Sequence, residues 1–95
     1  MTMDLFRMDG KVAVVIGGAR HLGYDMAEIL AEAGCELVIT SRNAGNAAEA
    51  ASRMKEKYKR DTVSEALDVR DYAQGEAFTE RAFAWKSRVD VLVNN

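Results

Sequence analysis

The chain has 95 residues, 48% of them hydrophobic, with 13 Lys plus Arg against 15 Asp plus Glu for a formal net charge of −2. That length confines it to one small domain, the apolar content excludes a disordered segment, and the charge balance offers no basic surface for nucleic acid or an anionic membrane. No apolar run approaches the roughly 20 residues a membrane span needs, and the N-terminus lacks a secretory core, so a cytoplasmic location is expected.

Residues 1–8 read as a short lead-in, and Asp9-Gly10 as a turn. Val12–Ile16 (Val-Ala-Val-Val-Ile) is a continuous apolar run, the pattern of a strand buried on both faces. Gly17-Gly18-Ala19-Arg20-His21-Leu22-Gly23 follows as a glycine-rich turn. From Leu22 the period lengthens: Leu22, Met26, Ile29, Leu30 and Ala33 fall on one face of a helix, and Gly34 stops it. Residues 36–40 give a second buried strand, and Asn43 or Asn46 can cap the helix after it. Ala47, Ala50, Ala51, Met54 and Tyr58 form the inner face of that helix, and Lys55, Lys57, Lys59 and Arg60 complement its dipole as a solvated end. Residues 62–67 form a weaker third strand. Asp71 caps a third helix running to about Ser87, with Tyr72, Phe78, Ala82 and Trp85 among its apolar positions. Residues 89–93 make a fourth strand before Asn94-Asn95.

Strands alternating with helices imply an α/β fold with a doubly wound parallel sheet and right-handed crossovers. A glycine-rich turn between a buried strand and a helix has one well-defined chemical use. Its backbone N–H groups and the helix dipole suit a dinucleotide pyrophosphate. Gly17 makes the tight turn, Gly18 and Ala19 keep the loop small, and Gly23 lets the helix approach the sheet. NAD-binding chains place an acidic residue at the end of the second strand to hold the ribose 2′-hydroxyl. Here Ser41-Arg42 stands there instead, and Arg20 lies inside the glycine turn. A guanidinium fork suits a phosphate. Cys35 is the single cysteine, so internal disulfides and multi-Cys zinc patterns are excluded, and a buried structural thiol is expected. No Cys/His/carboxylate cluster has ligand spacing, so no metal is expected.

These residues resemble the short-chain dehydrogenase/reductase family, whose first turn is Thr-Gly-x-x-x-Gly-x-Gly. The chain reads Ile16-Gly17-Gly18-Ala19-Arg20-His21-Leu22-Gly23, matching the two outer glycines. Asp68-Val69 resembles the family's adenine-pocket Asp with its apolar neighbour. Val91-Leu92-Val93-Asn94-Asn95 looks like the start of its Asn-Asn-Ala-Gly motif, and Asp9-Gly10-Lys11-Val12-Ala13 is typical of its opening. The resemblance covers essentially the whole chain and implies sheet order 3-2-1-4 for these strands. It implies that Gly17, Ala19, Arg20, His21, Leu22 and Gly23 line the phosphates, Ser41 and Arg42 take a 2′-phosphate, Asp68 and Val69 the adenine, and Asn95 the ribose side. Basic residues at Arg20 and Arg42 resemble the family's NADP pattern, so NADP is expected over NAD.

Two departures bear on the turn. Ile16 lacks the hydroxyl of the family's Thr, so a turn hydrogen bond worth about 1 kcal/mol is expected to be missing. His21 replaces the middle glycine. Histidine tolerates left-handed backbone better than most residues, so the turn is expected to persist with an exposed ring at its tip.

The family's catalytic Ser, Tyr and Lys follow the Asn-Asn-Ala-Gly motif. None of Tyr24, Tyr58 or Tyr72 has a lysine four residues on, so no catalytic residue is assigned. Residues 1–95 are therefore expected to be the first part of a single NADP-binding domain, truncated before the catalytic residues, with the fourth strand as a bare apolar edge. The parent is expected to be a homo-oligomeric oxidoreductase interconverting an alcohol and a carbonyl on a small-molecule substrate. Leu5-Phe6-Arg7-Met8-Asp9-Gly10-Lys11 looks like sugar-acid and polyol dehydrogenases of the family. The alternative is a non-catalytic nucleotide-binding module or an inert truncated relative. A nucleotide-free signalling domain lacks its acidic phosphate-acceptor cluster here.

Overall fold

The first strand, β1 (Val12–Ile16), lies inside a four-stranded parallel sheet. Its apolar run explains that position, because Val12, Ala13, Val14 and Val15 are all buried and point alternately to both faces. The computed structural model describes residues 7–95; Leu5 and Phe6 of the opening segment lie outside the described residues. After β1 come α1 (His21–Ala33), β2 (Glu36–Ser41), α2 (Ala44–Tyr58), β3 (Thr62–Ala66), α3 (Tyr72–Lys86) and β4 (Val91–Asn94). The sheet order is β3-β2-β1-β4, as the family resemblance implied.

Each face of the sheet has its own core. Ala13, Val15, Leu37 and Ile39 meet Ala27, Leu30 and Ala31 of α1 and Ala50 and Met54 of α2. Val14 and Val38 meet Leu67 and, from α3, Phe78 and Ala82, with Trp85 packed alongside. A chain that adds two strands on one side of β1 and then returns to its other side must change faces, because right-handed crossovers fix where each helix lies. That reversal falls between β1 and β4.

The helix ends follow local chemistry. Gly34 closes α1 in the left-handed conformation at φ 113°. The Asn43 side chain accepts from Asn46 N, and the Asp71 side chain from Gln74 N. Across the α1–α2 interface, Glu28 accepts hydrogen bonds from Tyr58 Oη at 2.9 Å and Lys57 Nζ at 3.2 Å. These bonds, Tyr58's first, lower the Glu28 pKa.

The inner face of α1 corrects the sequence reading. Leu22 and Ile29 are 63% and 62% exposed, and the buried positions are Gly23, Ala27, Leu30 and Ala31. The stripe is turned by about one residue, roughly 100°, because the closest approach is made by Gly23. A Cβ at Gly23 would stand 2.2 Å from the Gly17 carbonyl oxygen. Backbone proximity, not side-chain size, sets which face turns inward. Tyr72 is also exposed, at 80%. Strand boundaries shift by a residue or two, most at β4. There Asp90 Oδ2 accepts from Val12 N at 2.8 Å, while Asp90 N donates to Val12 O at 2.8 Å, so a side chain takes one bond of the ladder.

Candidate functional site

Parallel pairing aligns the carboxyl ends of three strands: Ile16 of β1 is opposite Thr40 of β2 and Asn94 of β4. An open cleft of about 360 Å³ lies beyond them, at the point where strand order reverses. Sheets of this kind bind ligands at such a switch point.

The glycine turn forms one wall. Gly17 has φ +77°, which glycine adopts without steric cost. Its N–H donates to Thr40 Oγ1 at 3.3 Å, and Gly18 N donates to the Thr40 carbonyl at 3.0 Å. A Cβ at Gly18 would lie 3.0 Å from Val15 Cγ1, so the loop fits the sheet only with small residues. Asn95 ties the other side, with its N–H on the Ile16 carbonyl at 3.1 Å and its Nδ2 on the Gly17 carbonyl at 3.4 Å. Ile16 offers the turn no side-chain acceptor; Thr40, on the neighbouring strand, does.

His21 opens α1 with φ 55° and is exposed, the conformation and exposure the sequence implied. The N-cap residue, Arg20, makes no side-chain cap hydrogen bond, and no acidic residue occupies the first turn. The amides and positive dipole end of α1 are therefore uncompensated and fit an anion. Together with the side-chain-free turn at Gly17 and Gly18, they suit a pyrophosphate.

Basic side chains line the cleft both from the turn and from the end of β2. Arg20, Ser41 and Arg42 all line the cleft. Neither arginine is within ion-pair distance of a carboxylate among the described residues, whereas Arg53, Arg70, Arg81 and Arg88 each hold one. Ser41 Oγ accepts from Asn43 N at 3.2 Å. Unpaired guanidinium groups facing one cavity form a local positive field.

Of the residues named from the sequence, Gly17, Ala19, Arg20, Ser41, Arg42, Val69 and Asn95 line this cleft. His21, Leu22, Gly23 and Asp68 do not, although Asp68 lies between Leu67 and Val69, which do. Gly23 acts beneath the loop through its close contact with Gly17. Thr40, Asn43, Asn46 and Leu67 also line the cleft and were not picked out as site residues. Asn43 and Asn46 carried only a capping signal, and nothing in the local sequence marks Thr40 as a site residue.

The Asp68 carboxylate accepts from Arg70 Nε and Nη2 at 3.0 and 2.9 Å and from Arg70 N at 3.0 Å. The Arg70 guanidinium, then its backbone N–H, brings the Asp68 pKa down to about 2, so the group is an anion at neutral pH. Cys35 is fully buried, and burial raises its thiol pKa, with the Asp90 charge adding to the effect; that disfavours the reactive thiolate. Among the described residues no cluster of three or more His, Cys, Asp or Glu could hold a metal, and no helix is long and apolar enough to cross a membrane.

The sequence model for short chain dehydrogenase matches residues 11–95. The chain is 36% identical over 96 aligned positions to the 2-dehydro-3-deoxy-D-gluconate 5-dehydrogenase of Dickeya dadantii, covering 100% of this chain and 36% of that protein. The crystal structure of L-sorbose reductase from Gluconobacter frateurii, complexed with NADPH and L-sorbose, superposes with a TM-score of 0.90 at 32% identity, over 95% of this chain and 34% of that one. A 7α-hydroxysteroid dehydrogenase complexed with NADH superposes with a TM-score of 0.91 at 27% identity, over 97% and 36%. The chain spans about a third of the length of the curated relatives it matches. With the family's sheet order, its glycine turn at the switch point and a match across nearly all its residues, the chain belongs to the short-chain dehydrogenase family.

Proposed function

We propose that residues 1–95 form the adenosine and pyrophosphate half of an NADP(H) site, the first part of one dinucleotide-binding domain. The whole protein is then an NADP(H)-dependent oxidoreductase that interconverts an alcohol and a carbonyl. The observation that carries the cofactor choice is the pair Arg20 and Arg42. Both line one cleft, neither forms an ion pair with a carboxylate among the described residues, and Ser41 stands where an NAD site would place an acid. An acid there would repel a 2′-phosphate; two guanidinium groups attract it.

In this reading Gly17, Ala19, Leu22 and Gly23 leave the turn free for the pyrophosphate, and the first-turn amides of α1 donate to it. Arg20, Ser41 and Arg42 hold the 2′-phosphate, with His21 at the outer edge of the phosphates. Asp68 and Val69 receive the adenine, and Asn95 the ribose. The bound dinucleotide supplies or accepts the hydride. No tyrosine in these residues is followed four positions on by lysine, so no proton transfer is assigned to this chain.

For substrate, a sugar acid or polyol is favoured by the opening residues 5–11 and by relatives named for a deoxygluconate and for L-sorbose. The same reading makes the protein a cytoplasmic homo-oligomer.

Calorimetric titration of the chain with NADPH and NADH tests the cofactor assignment. NADPH is expected to bind at least tenfold more tightly, since hydrogen bonds to charged groups contribute about 1.5–3 kcal/mol each. Arg42→Ala should remove most of that preference and leave NADH binding nearly unchanged. Equal affinity for the two dinucleotides in the unsubstituted chain would overturn the NADP assignment.

A further inference from the structure

Of the residues of α2, Asn46 alone lines the cleft. It stands third in the helix, where its backbone N–H donates to the Asn43 side chain at 3.0 Å. A side chain at this position often reaches back to the N–H of the cap residue and closes a reciprocal pair of hydrogen bonds. Here that N–H is already taken, because Asn43 N donates to Ser41 Oγ at 3.2 Å. The Asn46 side chain is thereby released from capping. The residue is half-buried, and among the described residues its side-chain amide makes no hydrogen bond. Two N–H donors and one carbonyl acceptor are uncommitted.

A smaller cleft of about 210 Å³ shares Ala19, Arg20 and Asn46 with the first. Arg20 and Asn46 therefore stand where the two meet. Glu49 is the one carboxylate lining the smaller cleft, and Arg53, which also lines it, is its ion-pair partner. No acidic residue lines the larger cleft or occupies the first turn of α2. Three segments of the chain thus bring donors to one cleft: Arg20 from the glycine turn, Ser41 and Arg42 from the end of β2, and Asn46 from α2. A phosphate monoester offers three terminal acceptor oxygens to such a set.

We infer that Asn46 is a specificity-determining residue for the cofactor: its side-chain amide donates to the 2′-phosphate of NADP(H), a contact that NAD(H) does not make. The inference rests on the dinucleotide reading and adds a neutral donor to it. Being uncharged, the amide strengthens phosphate binding and does not penalise a ribose 2′-hydroxyl. A carboxylate in its place would do the reverse, repelling the phosphate and accepting from the hydroxyl.

Calorimetric titration of the full chain with NADPH and with NADH tests this, as the unsubstituted protein, as Asn46→Ala and as Asn46→Asp. Asn46→Ala should weaken NADPH by about tenfold and change NADH by less than about twofold. Asn46→Asp should abolish or reverse the NADPH preference. An acid in the first turn complements the helix dipole, so a melting temperature no lower than that of the unsubstituted chain is expected for Asn46→Asp, which separates lost phosphate binding from lost folding. Unchanged NADPH affinity in Asn46→Ala, or equal weakening of both dinucleotides, would overturn the role of Asn46 and leave the dinucleotide reading standing. Failure of the unsubstituted chain to bind either dinucleotide would overturn that reading, and this inference with it.

Discussion

Thr40 Oγ1, from a buried side chain of β2, accepts a hydrogen bond at 3.3 Å from the backbone N–H of Gly17, 23 positions earlier. The Thr40 carbonyl accepts from Gly18 at 3.0 Å. One residue on the neighbouring strand therefore anchors two consecutive amides of the glycine turn. Ile16, within the same segment as the turn, has no side-chain group to do this.

Thr40→Val keeps the shape and removes the acceptor. It leaves the Gly17 N–H without its partner, and is expected to cost about 1–2 kcal/mol. Thr40→Ser should retain most of that stability. Urea denaturation of the two variants gives the comparison, and equal losses would show that the hydroxyl is not what anchors the turn.

The same substitution should have opposite signs at two glycines. A Cβ at Gly23 would lie 2.2 Å from the Gly17 carbonyl oxygen and 2.9 Å from Asn95 Nδ2. Gly23→Ala must push α1 off the turn, at about 1–3 kcal/mol. At Gly75, inside α3, a Cβ meets nothing within 4 Å. Gly75→Ala should stabilise the chain by about 0.5–1 kcal/mol. Thermal melts of both variants check the pair of signs.

His21 holds φ 55° at the start of α1, in the left-handed region where a non-glycine residue is strained. His21→Gly removes that strain, and a gain of about 0.5–1 kcal/mol is expected after the extra chain entropy of glycine. His21→Val, β-branched, should instead lose about 1 kcal/mol or more. A destabilising His21→Gly would mean that the imidazole makes a contribution larger than the backbone strain.

Acid should loosen the junction of β1 and β4. Arg88 donates to both oxygens of the Asp90 carboxylate at 2.8 Å, and Val12 N donates to Oδ2. The Arg88 bonds, then the Val12 amide, bring the Asp90 pKa from 3.8 down to about 2. A folded-state pKa below the unfolded value gives stability that is complete above about pH 4 and lost as pH falls toward 2. Asp68, also at about 2, acts in the same direction. The unsubstituted chain should therefore lose melting temperature over that window, and Asp90→Asn should be less stable at pH 7 with a shallower acid slope. An unchanged slope in Asp90→Asn would show that other carboxylates dominate.

What could be read from the sequence was local. Gly34 ends its helix because, without a Cβ, it takes the left-handed conformation, and Asn43 and Asp71 begin theirs through side-chain caps, all of which act within a few residues. Ala47, Ala50, Ala51 and Met54 are buried as their spacing requires. The turn of Gly17 to Gly23 and the basic Ser41-Arg42 were visible as motifs; the cleft takes Gly17, Ala19, Arg20, Ser41 and Arg42 from them but not His21, Leu22 or Gly23. The inner face of α1 was not, because periodicity ranks positions by apolar size. Leu22 and Ile29 score high on that measure, yet Gly23 makes the closest approach.

The sequence alone determined the alternation of strands and helices, the caps, the phosphate-type turn and the membership that these motifs imply, all of which depend on short-range backbone and side-chain preferences. Only the tertiary structure decided what surrounds the turn. Thr40 reaches Gly17 because parallel register sets Ile16 opposite Thr40, and Asn95 reaches it because β4 returns to the far side of β1. Arg20 and Arg42 line one cleft because the same register sets the turn after β1 beside the end of β2. Distances between segments far apart in the chain are fixed by sheet register and crossover geometry, and no local pattern of residues encodes them.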